Sequence, residues 1–230
     1  MSRKPQTTRR VVVTGFGLRT ALGDTPAGLF EALLEKRTAV RAQPAWATFD
    51  DFFALVAAPV EGFDAREIPR KFRRSMGRVA QLAVAASVDA VREAHLDGVI
   101  AQSDRFGVAI GSTLGSSAAE AAFWRHINEK NTARGLKATH FFQVMPHTCA
   151  SNVAMYLQIR GEALATNAAC ASATRAIGTG LDRIRFGSAD VVLAGGADEL
   201  HESAAMTFDL IGGASRGFND RPEQTPRPFD

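Results

Sequence analysis

The sequence predicts a layered α/β fold with a mostly parallel, mixed sheet. Short β-branched runs, such as those at 10–14 and 106–110, alternate with longer segments in which apolar residues recur at helical spacing. Because parallel neighbouring strands need crossover connections, strands separated by helices indicate such a sheet. The chain has 230 residues, 46% of them apolar, which is enough to bury a large core.

The amino-terminal part predicts a strand followed by a helix. Residues 10–14 are expected to form a buried strand at the centre of the sheet, with a tight turn at the glycines of 15–17. Asp24 or Thr25 is expected to cap a helix that opens with Pro26. The apolar stripe of this helix would consist of Leu29, Phe30, Leu33 and Leu34.

An irregular excursion is predicted at about 38–74, where prolines and scattered aromatic residues replace any clear period. Ser75 then precedes a long alanine-rich helix, whose small side chains permit close packing. The residues on one face of that helix are Val79, Leu82, Ala83, Ala86, Ala90 and Ala94.

The rest of the chain continues the alternation of strands and helices. A strand at 106–110 ends at Gly111, and a later helix is expected to end at Gly161. The predicted helices span 116–130, 145–160 and 171–186, and the predicted extended segments span 163–168 and 191–193.

Charge and cysteine content narrow the class of protein. Lys and Arg total 27 against 24 Asp and Glu, a mild excess that suits an acidic partner but not nucleic acid. Two cysteines do not form a disulfide framework and fit a reducing compartment. No targeting peptide is recognised, and no apolar run approaches the roughly 18 residues of a membrane span. We therefore expect a cytoplasmic protein.

Cys170 is the leading candidate nucleophile, because it falls between a strand end and a helix start. A helix amino terminus favours the thiolate by about 0.3 to 1 kcal/mol, a modest amount that a neighbouring base would have to supplement. The backbone N–H of Cys170 is a natural oxyanion donor. From position alone, a small buried core residue is an equally good interpretation of this cysteine.

Cys149 is an internal control for the motif, since both cysteines stand in the tripeptide Cys-Ala-Ser. The tripeptide alone therefore does not identify the nucleophile. No clean strand leads into Cys149, which falls in the first turn of its predicted helix. We interpret Cys149 as a structural residue.

Several motifs together resemble the elongating β-ketoacyl-acyl carrier protein synthases. They are AACASATRAIG at 168–178, DVVLAGGADEL at 190–200, MTFDLIGGAS at 206–215, RPFD at 227–230 and the opening RRVVVTGFGLRTALG at 9–23. The poorest match lies between about 38 and 70. The resemblance implies a thiolase-like fold of two similar halves, of which residues 1–230 form the amino-terminal half.

The resemblance also implies a reaction. An acyl group would pass from acyl carrier protein to Cys170 and then condense with malonyl-acyl carrier protein by decarboxylation, in fatty acid or polyketide synthesis and without a cofactor. The family works as a homodimer. Its two catalytic histidines and supporting lysine belong to a second half that follows RPFD, so none of the five histidines here is assigned to catalysis. We expect the chain to be a truncated, cleaved or split portion that a partner chain could complete.

Two alternative functions stay open. Thiolases and the initiating synthases share the fold, although their cysteine typically lies nearer the amino terminus than Cys170 does. A non-catalytic subunit that binds carrier protein and uses the fold as a scaffold is the other alternative.

Five basic residues align with positions that the family uses to meet its acidic carrier protein, although an ordinary solvated face would look the same. They are Arg70, Lys71, Arg74, Arg134 and Lys137.

Other motifs in the sequence are too incomplete to indicate a binding site. The glycines of 15–17 lack the rest of a dinucleotide-binding fingerprint, and 111–116 lacks the lysine of a P-loop. A single His-x-Cys at His147 is too little for a metal site.

Overall fold

The computed structural model describes residues 9–229, which fall into two compact units. The first unit comprises Met1–Gly17 and Arg66–Asp198, and the second comprises Leu18–Ala65 and Glu199–Asp230. The helices are α1 (Pro26–Leu34), α2 (Arg70–Arg73), α3 (Arg78–Glu93), α4 (Ser117–Lys130), α5 (Thr139–Val144), α6 (Thr148–Leu157), α7 (Ser172–Arg185) and α8 (Glu202–Leu210). The strands are β1 (Arg41–Ala42), β2 (Val56–Ala57), β3 (Phe106–Gly111), β4 (Ala163–Thr166) and β5 (Val191–Gly196).

A three-stranded parallel sheet forms the centre of the first unit, in the order β4-β3-β5. Val108 of β3 stands opposite Ala163 of β4 and Leu193 of β5. Every residue of β3 is buried, as expected for a central strand covered on both faces. The parallel α/β fold expected from the sequence is confirmed.

Helices α6 and α7 pack on this sheet. α7 contacts β5 and β3, and α3 contacts α6. An apolar cluster of Val91, Ile100 and Phe106 fills the space beside the sheet, and Leu157 and Val191 are among the side chains packed against it. Burial of such side chains, at roughly 1.5 to 3 kcal/mol each, stabilises the layered arrangement.

An ion-pair clamp joins the amino ends of β3 and β5. Arg105 Nε lies 2.7 Å from Asp190 Oδ2, and Arg9 Nη1 lies 2.6 Å from Asp190 Oδ1. The hydrogen bonds from the two guanidinium groups lower the pKa of Asp190 well below its usual range. The side chains are about half exposed, so the clamp aligns the two strands more than it stabilises them.

The predicted strand at 10–14 is wrong for the part of the chain that the structure describes, in which these residues form no strand. Val12 is 64% exposed and Val13 is 73% exposed. The β-branched run favours extended backbone, but a strand also needs a neighbouring strand, and no described segment pairs with this one.

The glycines that follow serve close packing and not the expected tight turn. A β-carbon on Gly15 would overlap the carbonyl oxygen of Ala90, and one on Gly17 would overlap that of Ala86. The backbone of this segment therefore lies directly on the small-residue face of α3, as the alanine pattern predicted for that helix.

Two helix boundaries differ from prediction. The helix expected over 145–160 is α6, which begins at Thr148 and ends where Gln158 adopts a left-handed φ of 56°. Gly161 does not cap it. A β-carbon at Gly161 would overlap the carbonyl oxygen of Phe106, so this glycine allows the chain to enter the sheet beside β3.

The second unit contains α1, α8 and the antiparallel pair of β1 and β2. Thr25 caps α1 as predicted, accepting a hydrogen bond of 3.2 Å from Gly28 N. Part of the predicted apolar stripe is exposed, since Phe30, Leu33 and Leu34 each keep more than half of their surface accessible to solvent. Residues 38–74 contain only short helices and strands.

A buried carboxylate organises the second unit. Asp209 is 2% exposed and accepts hydrogen bonds from Phe53 N at 3.1 Å and Arg216 Nε at 2.8 Å. These donors lower its pKa against the opposing effect of burial.

Among residues 9–229, no helix combines the length and the apolar character that crossing a membrane requires.

Candidate active site

The carboxyl ends of the three parallel strands meet at one edge of the sheet, and Cys170 lies at that edge. It falls between Thr166, where β4 ends, and Ser172, where α7 begins. Its side chain is exposed. The alternative that Cys170 is a buried core residue is therefore wrong.

Local hydrogen bonds shape the turn at 167–171, here called the Cys170 turn. Ser172 N donates to Ala169 O at 3.0 Å, and Ala168 N donates to Ser172 Oγ at 2.9 Å. Ala169 has a left-handed φ of 48°, which costs a non-glycine residue about 1 to 2 kcal/mol. The hydrogen bonds on both sides hold it there, and the chain reverses sharply before Cys170.

Two glycines let α7 reach the sheet edge. A β-carbon on Gly111 would overlap the carbonyl oxygen of Ser172, and one on Gly196 would lie 2.6 Å from the β-carbon of Ala173. The first turn of α7 therefore lies directly against the ends of β3 and β5. The helix amino terminus, with its partial positive charge, is thereby held beside the Cys170 turn.

Long-range hydrogen bonds tie the same three strand ends together. Thr113, after β3, donates its backbone N–H to Asp198 Oδ1 at 2.8 Å. Its hydroxyl Oγ1 lies 3.1 Å from Ala169 O, and Asn167 Nδ2 donates to Thr113 O at 3.2 Å. The sequence analysis did not identify Thr113, Asn167 or Asp198 as site residues, because hydrogen bonds between loops leave no periodic pattern.

The backbone N–H of Cys170 makes no hydrogen bond within the described part of the chain. It stands at the approach to a helix amino terminus, where backbone donors favour an anion. An exposed thiol beside an unoccupied amide donor is an arrangement suited to nucleophilic attack on a carbonyl carbon.

No histidine among residues 9–229 is hydrogen-bonded to Cys170. His126 Nε2 lies 3.0 Å from Arg134 O, and His140 Nδ1 accepts from Lys137 N at 3.3 Å. His201 caps α8 through Ser203 N. The ring of His147 lies edge-on to Phe141.

Cys149 differs from Cys170 in its burial and in its place in the fold. It is 3% exposed and lies in the first turn of α6, as predicted. Burial and the negative charge of Asp198 raise its pKa to about 12. Cys149 therefore stays a neutral thiol, which confirms the structural interpretation.

Four of the five predicted basic residues line one cleft of about 670 Å³, here called the basic cleft. They are Arg70, Lys71, Arg74 and Lys137, and α5 and the residue before it add Ala138, Thr139, His140 and Gln143. None of the four cations pairs with a carboxylate in the described chain. The fifth residue, Arg134, is exposed but does not line the cleft.

The contribution of α5 to the cleft was missed by sequence reasoning. Gln143 Nε2 donates to Arg74 O at 3.1 Å and so ties α5 to the end of α2. A six-residue helix has too few turns to show a period in the sequence.

Within residues 9–229, no group of three or more His, Cys, Asp or Glu side chains is placed to hold a metal ion.

Comparisons with known proteins agree with one another. Residues 8–230 match the family described as "Beta-ketoacyl synthase, N-terminal domain". The chain is 30% identical over 226 residues to 3-oxoacyl-(acyl-carrier-protein) synthase 1 of Haemophilus influenzae, covering 96% of this chain and 54% of that protein.

Two solved structures are similar as well. The crystal structure of a β-ketoacyl synthase from Burkholderia phymatum has a TM-score of 0.88 and 39% identity, covering 95% of this chain and 54% of that chain. The ishigamide ketosynthase/chain length factor has a TM-score of 0.79 and 28% identity, covering 89% and 51%. The chain thus spans about half the length of the proteins it matches.

Proposed function

Because the chain belongs to the β-ketoacyl synthase family, we propose that it is the acyl-accepting part of a 3-oxoacyl-acyl carrier protein synthase. In this proposal Cys170 receives an acyl group from acyl carrier protein, and the acyl group then condenses with malonyl-acyl carrier protein in fatty acid or polyketide synthesis. The observation that carries the proposal is the exposed Cys170 at the junction of β4 and α7.

Acyl capture is the first step of the proposed reaction. The Cys170 thiolate attacks the thioester carbonyl, and the backbone N–H of Cys170 donates to the oxyanion of the tetrahedral intermediate. When the intermediate collapses, the bond between the carbonyl carbon and the carrier sulfur breaks, and the carrier leaves as a thiolate that takes up the proton which Cys170 lost on ionisation. The acyl group is then a thioester of Cys170.

Condensation uses the second carrier-bound substrate. Loss of CO₂ from the malonyl group leaves the bonding electrons on its α-carbon, which attacks the carbonyl carbon of the Cys170 thioester. A new carbon–carbon bond forms and Cys170 is released as a thiolate. This step needs donors that stabilise an enolate-like charge, and the histidines implied by the family resemblance are the groups for it.

We assign those histidines to a second half of the enzyme, carried on the same polypeptide or on a partner chain. The chain spans 54% of the Haemophilus relative. In the first unit, the segment 10–14 exposes Val12 and Val13. A second half that added a strand beside this segment would cover both side chains. A homodimer of the completed enzyme is part of the proposal.

The basic cleft is proposed as the docking site for the carrier protein. Arg70, Lys71, Arg74 and Lys137 present their charges to one concave surface without a described acidic neighbour. The positive potential of the cleft would therefore attract an acidic partner. It would raise the association rate of that partner and disfavour basic proteins. Arg134 precedes Lys137 in the same loop but does not line the cleft, so it is left out of the proposed docking site.

The experiment that tests the function is direct acylation. The protein, expressed from its complete coding sequence, is incubated with acyl-acyl carrier protein and digested, and the adduct is mapped by peptide mass spectrometry. We expect the acyl mass on the peptide containing Cys170, its loss in Cys170→Ala and its retention in Cys149→Ala. Binding of the carrier without acylation would support a scaffold subunit instead and would overturn the catalytic proposal.

A further inference from the structure

We propose that Thr113 and Asp198 are positioning residues that aim the backbone N–H of Cys170 at the substrate oxyanion. The inference rests on the proposed function, in which Cys170 accepts the acyl group. It is drawn from a chain of contacts that crosses the sheet edge. Asp198 holds Thr113, and the hydroxyl of Thr113 holds the peptide unit that ends in the Cys170 nitrogen.

The peptide unit explains why this contact reaches the oxyanion donor. The carbonyl of Ala169 and the N–H of Cys170 belong to one peptide group, which is planar. A hydrogen bond from Thr113 Oγ1 to Ala169 O, at 3.1 Å, therefore also sets the direction of the Cys170 N–H. Hydrogen bonding at the oxygen polarises the amide, which makes its N–H a better donor.

Thr113 does something that the local contacts of the turn cannot do. Ser172 also donates to Ala169 O, through its backbone N at 3.0 Å and its hydroxyl at 2.6 Å. Ser172, however, belongs to the same turn and moves with it. Thr113 lies 56 residues away in sequence, directly after β3, so its hydrogen bond fixes the peptide relative to the sheet.

Asp198 determines where the Thr113 hydroxyl stands. Its Oδ1 accepts the backbone N–H of Thr113 at 2.8 Å and the hydroxyl of Ser112 at 3.1 Å. Thr113 Oγ1 lies 3.1 Å from Ala169 O and 3.4 Å from Asp198 Oδ2, and we assign its single proton to the shorter contact, the one with Ala169 O. Asn167 Nδ2 donates back to Thr113 O at 3.2 Å and closes the link between the two loops.

Two reactions of the Cys170 sulfur distinguish a misoriented Cys170 N–H from a change in the access of reagents to the sulfur. Acylation by a small acyl thioester builds an oxyanion and needs the Cys170 N–H. Alkylation by iodoacetamide forms a sulfur–carbon bond, expels iodide and builds no oxyanion. A defect in orientation of the N–H must therefore slow the first reaction and spare the second.

The test compares Thr113→Val, which removes the hydroxyl at nearly constant shape, with Thr113→Ser, which restores it. In the protein expressed from its complete coding sequence, we expect Thr113→Val to slow Cys170 acylation by an N-acetylcysteamine thioester about tenfold, equivalent to about 1.4 kcal/mol. This is the scale of one hydrogen bond. Iodoacetamide alkylation should change less than about twofold, and Thr113→Ser should acylate within about threefold of the unaltered protein.

Asp198 variants give the second arm. Asp198→Ala removes the acceptor and should slow acylation about tenfold, whereas Asp198→Asn keeps an oxygen for Thr113 N and should stay within about threefold. Normal acylation by Thr113→Val, or an equal loss of acylation and alkylation, would overturn the positioning role and leave the proposed function intact. An unaltered protein that acylates nowhere would overturn both.

Discussion

Gly111, at the end of β3, lies so close to the carbonyl oxygen of Ser172 that a β-carbon at position 111 would overlap it. Ser172 begins α7, two residues after Cys170. The absence of a side chain at Gly111 therefore determines how deeply the Cys170 turn sits against the sheet edge.

Gly111→Ala should accordingly disturb both stability and acylation. Forcing a methyl group against backbone costs about 1 to 3 kcal/mol of unfolding free energy, and the displaced turn should slow Cys170 acylation by about tenfold or more. Urea denaturation and acylation kinetics measure the two effects. The matched control is Gly195→Ala, because a β-carbon there meets no atom within 4 Å. Equal effects of the two substitutions would refute the steric explanation.

The two cysteines should differ sharply in their reaction with iodoacetamide. In the native protein at pH 8, we expect mass spectrometry to find the adduct on exposed Cys170 and none on buried Cys149 within the same period. In denaturant both should react at similar rates. Native labelling of Cys149 would show that α6 opens readily and that its burial is not protective.

Alkaline pH should destabilise the folded protein in part through Cys149. Its folded pKa of about 12 lies above the ordinary value of 9.0, so folding favours the protonated thiol. The stabilisation is complete below about pH 9 and is lost as the pH rises toward 12, with a limiting slope of about 1.4 kcal/mol per pH unit. Cys149→Ala should show a shallower decline of unfolding free energy over this range. Identical slopes for the two proteins would contradict the raised pKa.

Charge reversal in the basic cleft should weaken docking of the acidic carrier and nothing else. We expect Arg74→Glu or Lys137→Glu to raise the KM for acyl-acyl carrier protein about tenfold, an effect that shrinks as salt is added. The kcat/KM for a small acyl thioester should stay unchanged. Arg134→Glu is the control, since Arg134 does not line the cleft, and its effect should be below about threefold. An equal effect at Arg134 would show that general surface charge, not the cleft, attracts the carrier.

Local patterns were sufficient to predict much of the fold and the candidate nucleophile. The strand at 106–111, the helix at 117–130 and the strand-to-helix junction around Cys170 appear where periodicity and cap residues indicated. These features depend on interactions within a few residues along the chain, so each short segment carries its own signal. Thr25 could be identified as a cap for the same reason.

The tertiary structure decided what depends on distant partners. Residues 10–14 have the composition of a strand, yet whether they pair depends on a neighbouring segment. Cys149 and Cys170 are both followed by Ala-Ser. Only the tertiary packing buries Cys149 and leaves Cys170 exposed. The contacts of Thr113 with Ala169 and Asp198 span 56 and 85 residues. A hydrogen bond between two loops is set by where the strands carry them, and no pattern within either loop encodes that meeting.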